Sequence, residues 1–419
     1  MTTPGTLGTV AVIGNGLIGH GVAQVFAAAG KEVRLIGRRE ASLRSAMDKI
    51  TASLKSFADY GLLTPTGAKT AMGRIRPTTD MNEAAAATLV VEAVPFVHAL
   101  QLEIFEALDR ICAPPTVLAS SSGQVASELV ARVTRRERVV AAHFWYPSQH
   151  IPAVEVCAGP ETAPDVVPWL CKVLEEVGKV PVVLNREVKG FIGNRMLTPY
   201  LREAQFLLEE GASVEDLNAT LYDFGIAMGP MAMSDLAGLD VGWRIRKEFR
   251  HLEKPGVRVP LVADRLCEMG RFGQKTGRGW SMYDENRQPS PDPGTAALIE
   301  QTAREAGIER RAIGREEIVD RCILALVNEG AHLLGEGIAL RAADIDIVYL
   351  NGYGFPAWRG GPMFYADTAG LGSVVARIEE FRERHGDDLW PVAPLLRRLA
   401  EGGSSFTEFD RQKQTAAGA

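Results

Sequence analysis

Apolar residues fall into short unbroken runs in the first part of the chain and into spaced stripes in the second. Thr9–Ile13 (TVAVI) is such a run. It ends in Gly14, Gly16 and Gly19, and an alanine-rich helical pattern follows at once. Residues 32–37, 88–94, 117–119, 139–144, 151–156 and 181–184 are further runs of strand length. Between them, residues 41–60 place Leu43, Met47, Ile50, Leu54 and Phe57 at helical spacing, and residues 99–112 read as a helix stopped by Pro114 and Pro115. Strands alternating with helices predict a doubly wound, largely parallel sheet. From Gly190 the runs give way to long helical stripes, beginning with GFIGNRMLTPYLREAQFLLEEGA.

The helical part contains an internal repeat. The stretch from Glu203 (EAQFLLEEGASVEDL…MGPMAMSDLAGL) matches the stretch from Glu329 (EGAHLLGEGIALRAADI…GGPMFYADTAGL). The fold class expected is therefore α/β plus all-α: a Rossmann-type sheet followed by two related helical domains. The boundaries read are 1–187 for the dinucleotide-binding domain and 188–285 for the first helical domain. A proline-rich linker follows at 286–294, then the second helical copy at 295–402 and a polar, frayed tail at 403–419.

Composition removes several classes of function. A net charge of −6 gives no basic footprint for nucleic acid. No apolar run is long enough for a membrane span, and MTTPGTLG lacks the pattern of a signal peptide. Five scattered cysteines without C-x-x-C spacing suggest reduced thiols in a cytoplasmic protein, and no metal site is expected.

The chemistry starts at the glycine turn. G-x-G-x-x-G between a strand and a helix is a dinucleotide cradle. Gly14 makes the turn, Gly16 admits the pyrophosphate, and Gly19 lets helix and strand pack closely. Leu17 and Ile18 within the turn, and Ala93 and Val94 at the end of the strand at 88–94, are counted with the cofactor site. The second strand ends in Gly37-Arg38-Arg39 and not in the acid that usually takes the ribose hydroxyls of NAD. An arginine there pairs with a 2′-phosphate, so NADP is favoured over NAD, with Glu40 as a displaced acid in the other reading. His143 closes one strand and Glu155 lies in the next. Antiparallel pairing would bring them together as a positioned general base.

Several motifs in order carry a resemblance: GNGLIGHGVA, VVEAVP, AHFWYP with VEV, GFIGNRML, FGIAMGP, DLAGLD and RFGQKTGRGW. They resemble the L-3-hydroxyacyl-CoA dehydrogenases, and most closely the dehydrogenase part of multifunctional fatty-acid oxidation enzymes. The resemblance implies a catalytic His143 oriented by Glu155, with Ser122 (or Ser121, given the serine run) and Asn194 near the substrate oxygen. It implies hydride transfer between a 3-hydroxyacyl-CoA, or a similar hydroxy acid, and a nicotinamide. No hydratase activity is expected, because the hydratase domain of the larger enzymes is not seen.

This chain departs from the family pattern near the site. Tyr146 replaces the usual asparagine, Phe96 a glutamate, Gln101 a lysine, and Tyr60 a lysine that contacts CoA. The missing CoA lysine favours, as an alternative, a dehydrogenase of a non-CoA hydroxy acid; a weakly active nucleotide-binding or structural relative is the other alternative, and the retained His143, Glu155 and Asn194 argue against it. Two helical copies in one chain would permit a monomer; a homodimer is the other expectation.

Overall fold

A computed structural model describes residues 5–252 and 254–417. The chain forms two compact units, one running to Ile192 and including Gly337–Leu340, the other built from Gly193–Glu336 and the chain from Arg341 onward.

The first unit is an eight-stranded sheet in the order β3-β2-β1-β4-β5-β6-β7-β8. The strands are β1 (Thr9–Ile13), β2 (Val33–Ile36), β3 (Ile75–Thr78), β4 (Ala87–Glu92), β5 (Val117–Ser120), β6 (Val139–Phe144), β7 (Ala153–Ala158) and β8 (Val180–Leu184). Its helices are α1 (Gly19–Ala28), α2 (Glu40–Asp59), α3 (Pro65–Gly73), α4 (His98–Ile111), α5 (Ala126–Leu129) and α6 (Val166–Glu176). The unbroken apolar runs are explained by burial on both faces. Val10 and Val12 of β1 join one core with Phe26 of α1, Ile50 of α2 and Leu170 of α6. Ala11 and Ile13 join the opposite core with Phe105 and Leu108 of α4.

The strands β1 to β6 pair parallel, while β7 pairs antiparallel with β6. A parallel partner needs a crossover, usually a helix, and only a short loop joins β6 to β7. No strand signal in the sequence marks β3. Its IRPT has no apolar alternation, and Pro77 is tolerated because β3 is the sheet's edge.

The second unit holds α7 (Gly193–Glu210), α8 (Val214–Phe224), α9 (Pro230–Ala237), α10 (Leu239–Phe249), α11 (Val262–Glu268), α12 (Pro293–Glu305), α13 (Arg315–Gly335), α14 (Ala342–Gly352), α15 (Pro362–Ala369), α16 (Leu371–His385), α17 (Pro394–Glu401) and α18 (Phe406–Ala417). The run α7–α10 repeats as α13–α16, and both copies lie in this one unit.

Equivalent residues make equivalent bonds. Asn218 accepts from the Met231 amide at the start of α9, and Asp346 from the Met363 amide at the start of α15. The leading helices of the two copies, α7 and α13, are cross-braced. Arg195 of α7 binds Glu329 at 2.6 Å and Glu336 at 2.7 Å, both on or beside α13. Arg321 of α13 reciprocates to Glu203 at 2.8 Å and Glu210 at 2.5 Å on α7. Arg195 precedes Glu203 by the same interval as Arg321 precedes Glu329, so the exchange follows the repeat.

Two expected segments are corrected. The stretch read as a linker carries a short strand, Pro289–Ser290, paired with Met282–Tyr283. Its Asp292 caps α12 through the Gly294 amide and is held by Arg278 at 2.6 Å. The stretch read as a frayed tail is α18. Phe406 is buried, and Asp410 accepts the Ala342 and Ala343 amides at the start of α14. Its polar composition hid a helix held by capping bonds and one apolar anchor. Residues 1–4 and 418–419, parts of the first domain and of the tail as read, lie outside the described residues.

Candidate active site

The register of β6 and β7 sets His143 directly opposite Glu155. The His143 Nδ1 lies 2.9 Å from the Glu155 Oε2, and both side chains are buried. The second Glu155 oxygen accepts the Ile192 amide at 2.8 Å. An ionised Glu155 has no proton to give, so Nδ1 donates and Nε2 holds the basic lone pair.

The imidazole is also fixed from its faces. Phe191 stacks on it at 5.0 Å with 5° between the planes, and Trp145 meets it edge-on at 5.2 Å. Phe191 takes a left-handed φ of 52°, a conformation that costs of order 1–3 kcal/mol outside glycine. That strain supplies both the stack and the placement of the Ile192 amide. The GFIGNRML motif contains Phe191 and Ile192, but nothing local in it indicates that their partners are His143 and Glu155.

The loop after β6 is tied from beneath. Lys179 donates to the Ser148 and Ile151 carbonyls at 2.6 and 2.7 Å. Burial lowers its ammonium to about 8.

On the neighbouring strand, Ser120 pairs in register with Ala141. His143 lies two residues past Ala141 within β6, and Ser122 two residues past Ser120, just beyond the end of β5. The Ser122 Oγ is 2.9 Å from the Ser120 Oγ and bonds the Gln101 Nε2. Ser121 is buried and engages the Glu92 carbonyl through its amide. Glu92 ends β4, fully buried, and accepts from Ser120 at 2.7 Å and from the Val94 amide at 2.7 Å. Burial raises its carboxyl above the usual range, against the pull of those bonds.

The glycine turn has the shape a dinucleotide requires. Gly14 has a φ of 103°, and a Cβ there would lie 2.6 Å from the Ala93 carbonyl oxygen. At Gly19 a Cβ would lie 1.9 Å from the Gly14 carbonyl oxygen, whereas at Gly16 it would meet nothing within 4 Å. Close packing on two sides with open space on the third fits a pyrophosphate over Gly16, facing the N-terminus of α1, which has no acid in its first turn. Leu17 is exposed beside this space, Ile18 occupies the cap position of α1, and Ala93 bonds back to Ile13 at 2.8 Å. Arg38 and Arg39 are exposed beyond β2, and Glu40 pairs with Arg44 on its own helix at 3.4 Å.

Asn194 belongs to the second unit, where its Oδ1 accepts the Tyr353 hydroxyl at 2.8 Å. Of the residues that depart from the family pattern, Gln101 is buried, Phe96 and Tyr146 are half-buried, and Tyr60 is 82% exposed. Among the described residues no cluster of three or more metal-ligating side chains forms, and no helix is long and apolar enough to cross a membrane. The described cysteines are all free.

The 3-hydroxyacyl-CoA dehydrogenase NAD-binding domain matches residues 9–188. The C-terminal domain of the same family matches twice, at 190–283 and 318–408. A peroxisomal bifunctional enzyme of Danio rerio is 38% identical across 96% of this chain, which spans 57% of that protein's length. A 3-hydroxybutyryl-CoA dehydrogenase of Escherichia coli K12 is similar in structure, with a TM-score of 0.79, 26% identity and coverage of 94% of this chain and 98% of that one. The dehydrogenase part of multifunctional enzyme 1 from C. elegans has a TM-score of 0.68 at 25% identity, covering 94% and 89%. The chain belongs to the 3-hydroxyacyl-CoA dehydrogenase family. Curated relatives are named peroxisomal or glyoxysomal, so they lend no support to a cytoplasmic location.

Proposed function

We propose that this chain interconverts a 3-hydroxyacyl-CoA and its 3-keto form with a nicotinamide cofactor. The observation that carries the proposal is the buried His143–Glu155 pair at 2.9 Å, with the second carboxylate oxygen held by the Ile192 amide. The nicotinamide, when bound, supplies hydride acceptance or donation. His143 takes the hydroxyl proton at Nε2 in the oxidation and returns it in the reduction. Glu155 keeps the imidazole in one tautomer and stabilises the imidazolium. Ser122 holds the reacting oxygen, and Asn194 is assigned a second contact by its place in GFIGNRML. The two helical copies already present their leading helices to each other within one chain, which supports a monomer over a homodimer.

The test is reduced-nicotinamide absorbance with acetoacetyl-CoA and with free 3-hydroxy acids. Turnover of the thioester is expected. A second reading, a dehydrogenase of a non-CoA hydroxy acid, draws on Tyr60, which places an exposed phenol where the family has a cation. Turnover of free acids alone would establish that reading. Cofactor binding without turnover of any substrate would leave a nucleotide-binding protein. The free thiols fit a reducing compartment, cytoplasmic or organellar.

Within this reading the cofactor is NADP. No acid stands at the tip of β2, and Arg38 and Arg39 are exposed there while Glu40 is engaged with Arg44. The expected result is a kcat/KM for NADP about tenfold above that for NAD. Replacing both Arg38 and Arg39 by Ala should lower the NADP value by about 10–100-fold and leave the NAD value within about twofold. Steady-state kinetics with both cofactors decides, and a wild-type preference for NAD rejects the assignment.

A further inference from the structure

Helix α4 presents Gln101, Ile104, Phe105 and Leu108 as one buried stripe. Three of these are ordinary core residues. The fourth is an amide with no exposed surface, placed where a hydrophobic side chain would be the default. Its Nε2 donates to the Glu92 Oε2 at 3.3 Å and also to the Ser122 Oγ. An ionised Glu92 only accepts, and a protonated one gives its single proton to Ser120, so in either state the amide nitrogen of Gln101, and not its oxygen, is the end that faces this cluster.

We propose that Gln101 is a positioning residue that makes the Ser122 hydroxyl a hydrogen-bond donor to the reacting oxygen. The inference rests on the reading of Ser122 as a substrate contact, and it follows from counting protons. Ser120 has one hydroxyl proton, and Ser122 has one. When Glu92 is ionised, Ser120 gives its proton to Glu92 at 2.7 Å. Ser122 then accepts from Gln101, and its own proton goes to Ser120 or to an incoming oxygen. When Glu92 is protonated, it donates to Ser120 and Ser120 donates to Ser122. Both lone pairs of Ser122 are then filled, by Ser120 and Gln101, and its proton can only point outward. While Glu92 is protonated the Gln101 N–H fills the last acceptor site of the Ser122 oxygen and keeps the serine from accepting from substrate; while Glu92 is ionised it fills one of the two sites. A substrate hydroxyl must give its proton to His143, so a serine that only donates leaves that transfer without a competitor.

The experiment is a double-mutant cycle of Gln101→Met and Ser122→Ala, followed by reduced-nicotinamide absorbance, with Gln101→Lys as the variant that restores a donor. Melting temperature and cofactor titration report on folding. Gln101→Met is expected to lower kcat about tenfold with KM for the cofactor within about twofold. It should cost nothing further once Ser122 is Ala. Gln101→Lys should recover most of the lost kcat. Full kcat in Gln101→Met, or a loss that adds to that of Ser122→Ala, overturns the proposal. A Ser122→Ala variant as active as wild type removes the serine's role, and this inference with it, while leaving the His143 reading to its own test.

Discussion

Replacing His143 by Gln is expected to lower kcat by about 10²–10⁴-fold, the range over which a positioned general base contributes. The ring sits in a stack with Phe191 and against the edge of Trp145, so glutamine leaves some apolar contact unfilled. The loss must therefore be read with cofactor affinity and melting temperature held in view. Glu155→Gln sharpens the argument, because its volume is nearly unchanged. Glu155 serves two N–H donors with two oxygens, His143 Nδ1 on one and the Ile192 amide on the other. Glutamine has one oxygen and an NH₂. If the oxygen keeps Ile192, the NH₂ faces Nδ1 and drives the proton to Nε2, where the base is needed. If the oxygen keeps Nδ1, a buried backbone amide is orphaned, at about 1–3 kcal/mol. The first outcome lowers kcat by a factor similar to that of His143→Gln, and the second lowers stability. Kinetics and thermal melting on the same preparation separate them. A Glu155→Gln enzyme with both values at wild-type level would mean that the pair is not what directs the imidazole.

The sequence makes the sheet legible because a strand buried on both faces is apolar along most of its length, and β1 and β4 to β6 keep to that rule except toward their carboxyl ends, where Glu92, Ser120 and His143 stand. The His143–Glu155 pairing is legible for a related reason: the loop between their strands is too short for a crossover. What stays hidden depends on partners distant along the chain. Gln101 reads as a lone substitution in a helix until β4 and β5 bring Glu92 and Ser122 beside it. The polar residue in register with Ile104, Phe105 and Leu108 is the signal that marks it. Phe191 gives no sign of its left-handed backbone, since neither its type nor Gly190 before it specifies one. The helix at 406–417 was missed because its apolar face is narrow and much of its anchoring comes from Asp367 and Asp410 acting as caps. The repeat was legible from Glu203 and Glu329, but the exchange of ion pairs between copies appears only once α7 and α13 are packed together.

That exchange yields the largest expected effect on stability, and an internal control. Arg321 and Arg195 occupy equivalent places in the two copies, yet their surroundings differ. The Arg321 side chain has no exposed surface, and its partners Glu203 and Glu210 are buried; that of Arg195 is 23% exposed, with Glu336 at 40%. Arg321→Met is expected to cost about 3–5 kcal/mol, because two buried carboxylates lose their shared cation. Arg195→Met should cost about 1 kcal/mol or less, since water can take over its role.

Burial alone would raise the Glu210 carboxyl, but Arg321 and Arg258 outweigh it and hold the group below its usual range. A carboxyl with a lowered folded-state pKa stabilises the protein above the ordinary glutamate value, and that contribution fades as pH falls through the lowered one. The loss in Arg321→Met should accordingly be largest near neutral pH and shrink in acid. Urea unfolding followed by helical circular dichroism at two pH values measures both effects. The triple variant Arg321→Met, Glu203→Gln, Glu210→Gln should regain part of the loss, because without Arg321 the buried Glu203 is left with Arg202 alone and Glu210 chiefly with Arg258. Equal losses from Arg321→Met and Arg195→Met would show that the repeat's symmetry, and not its burial, sets the strength of the brace.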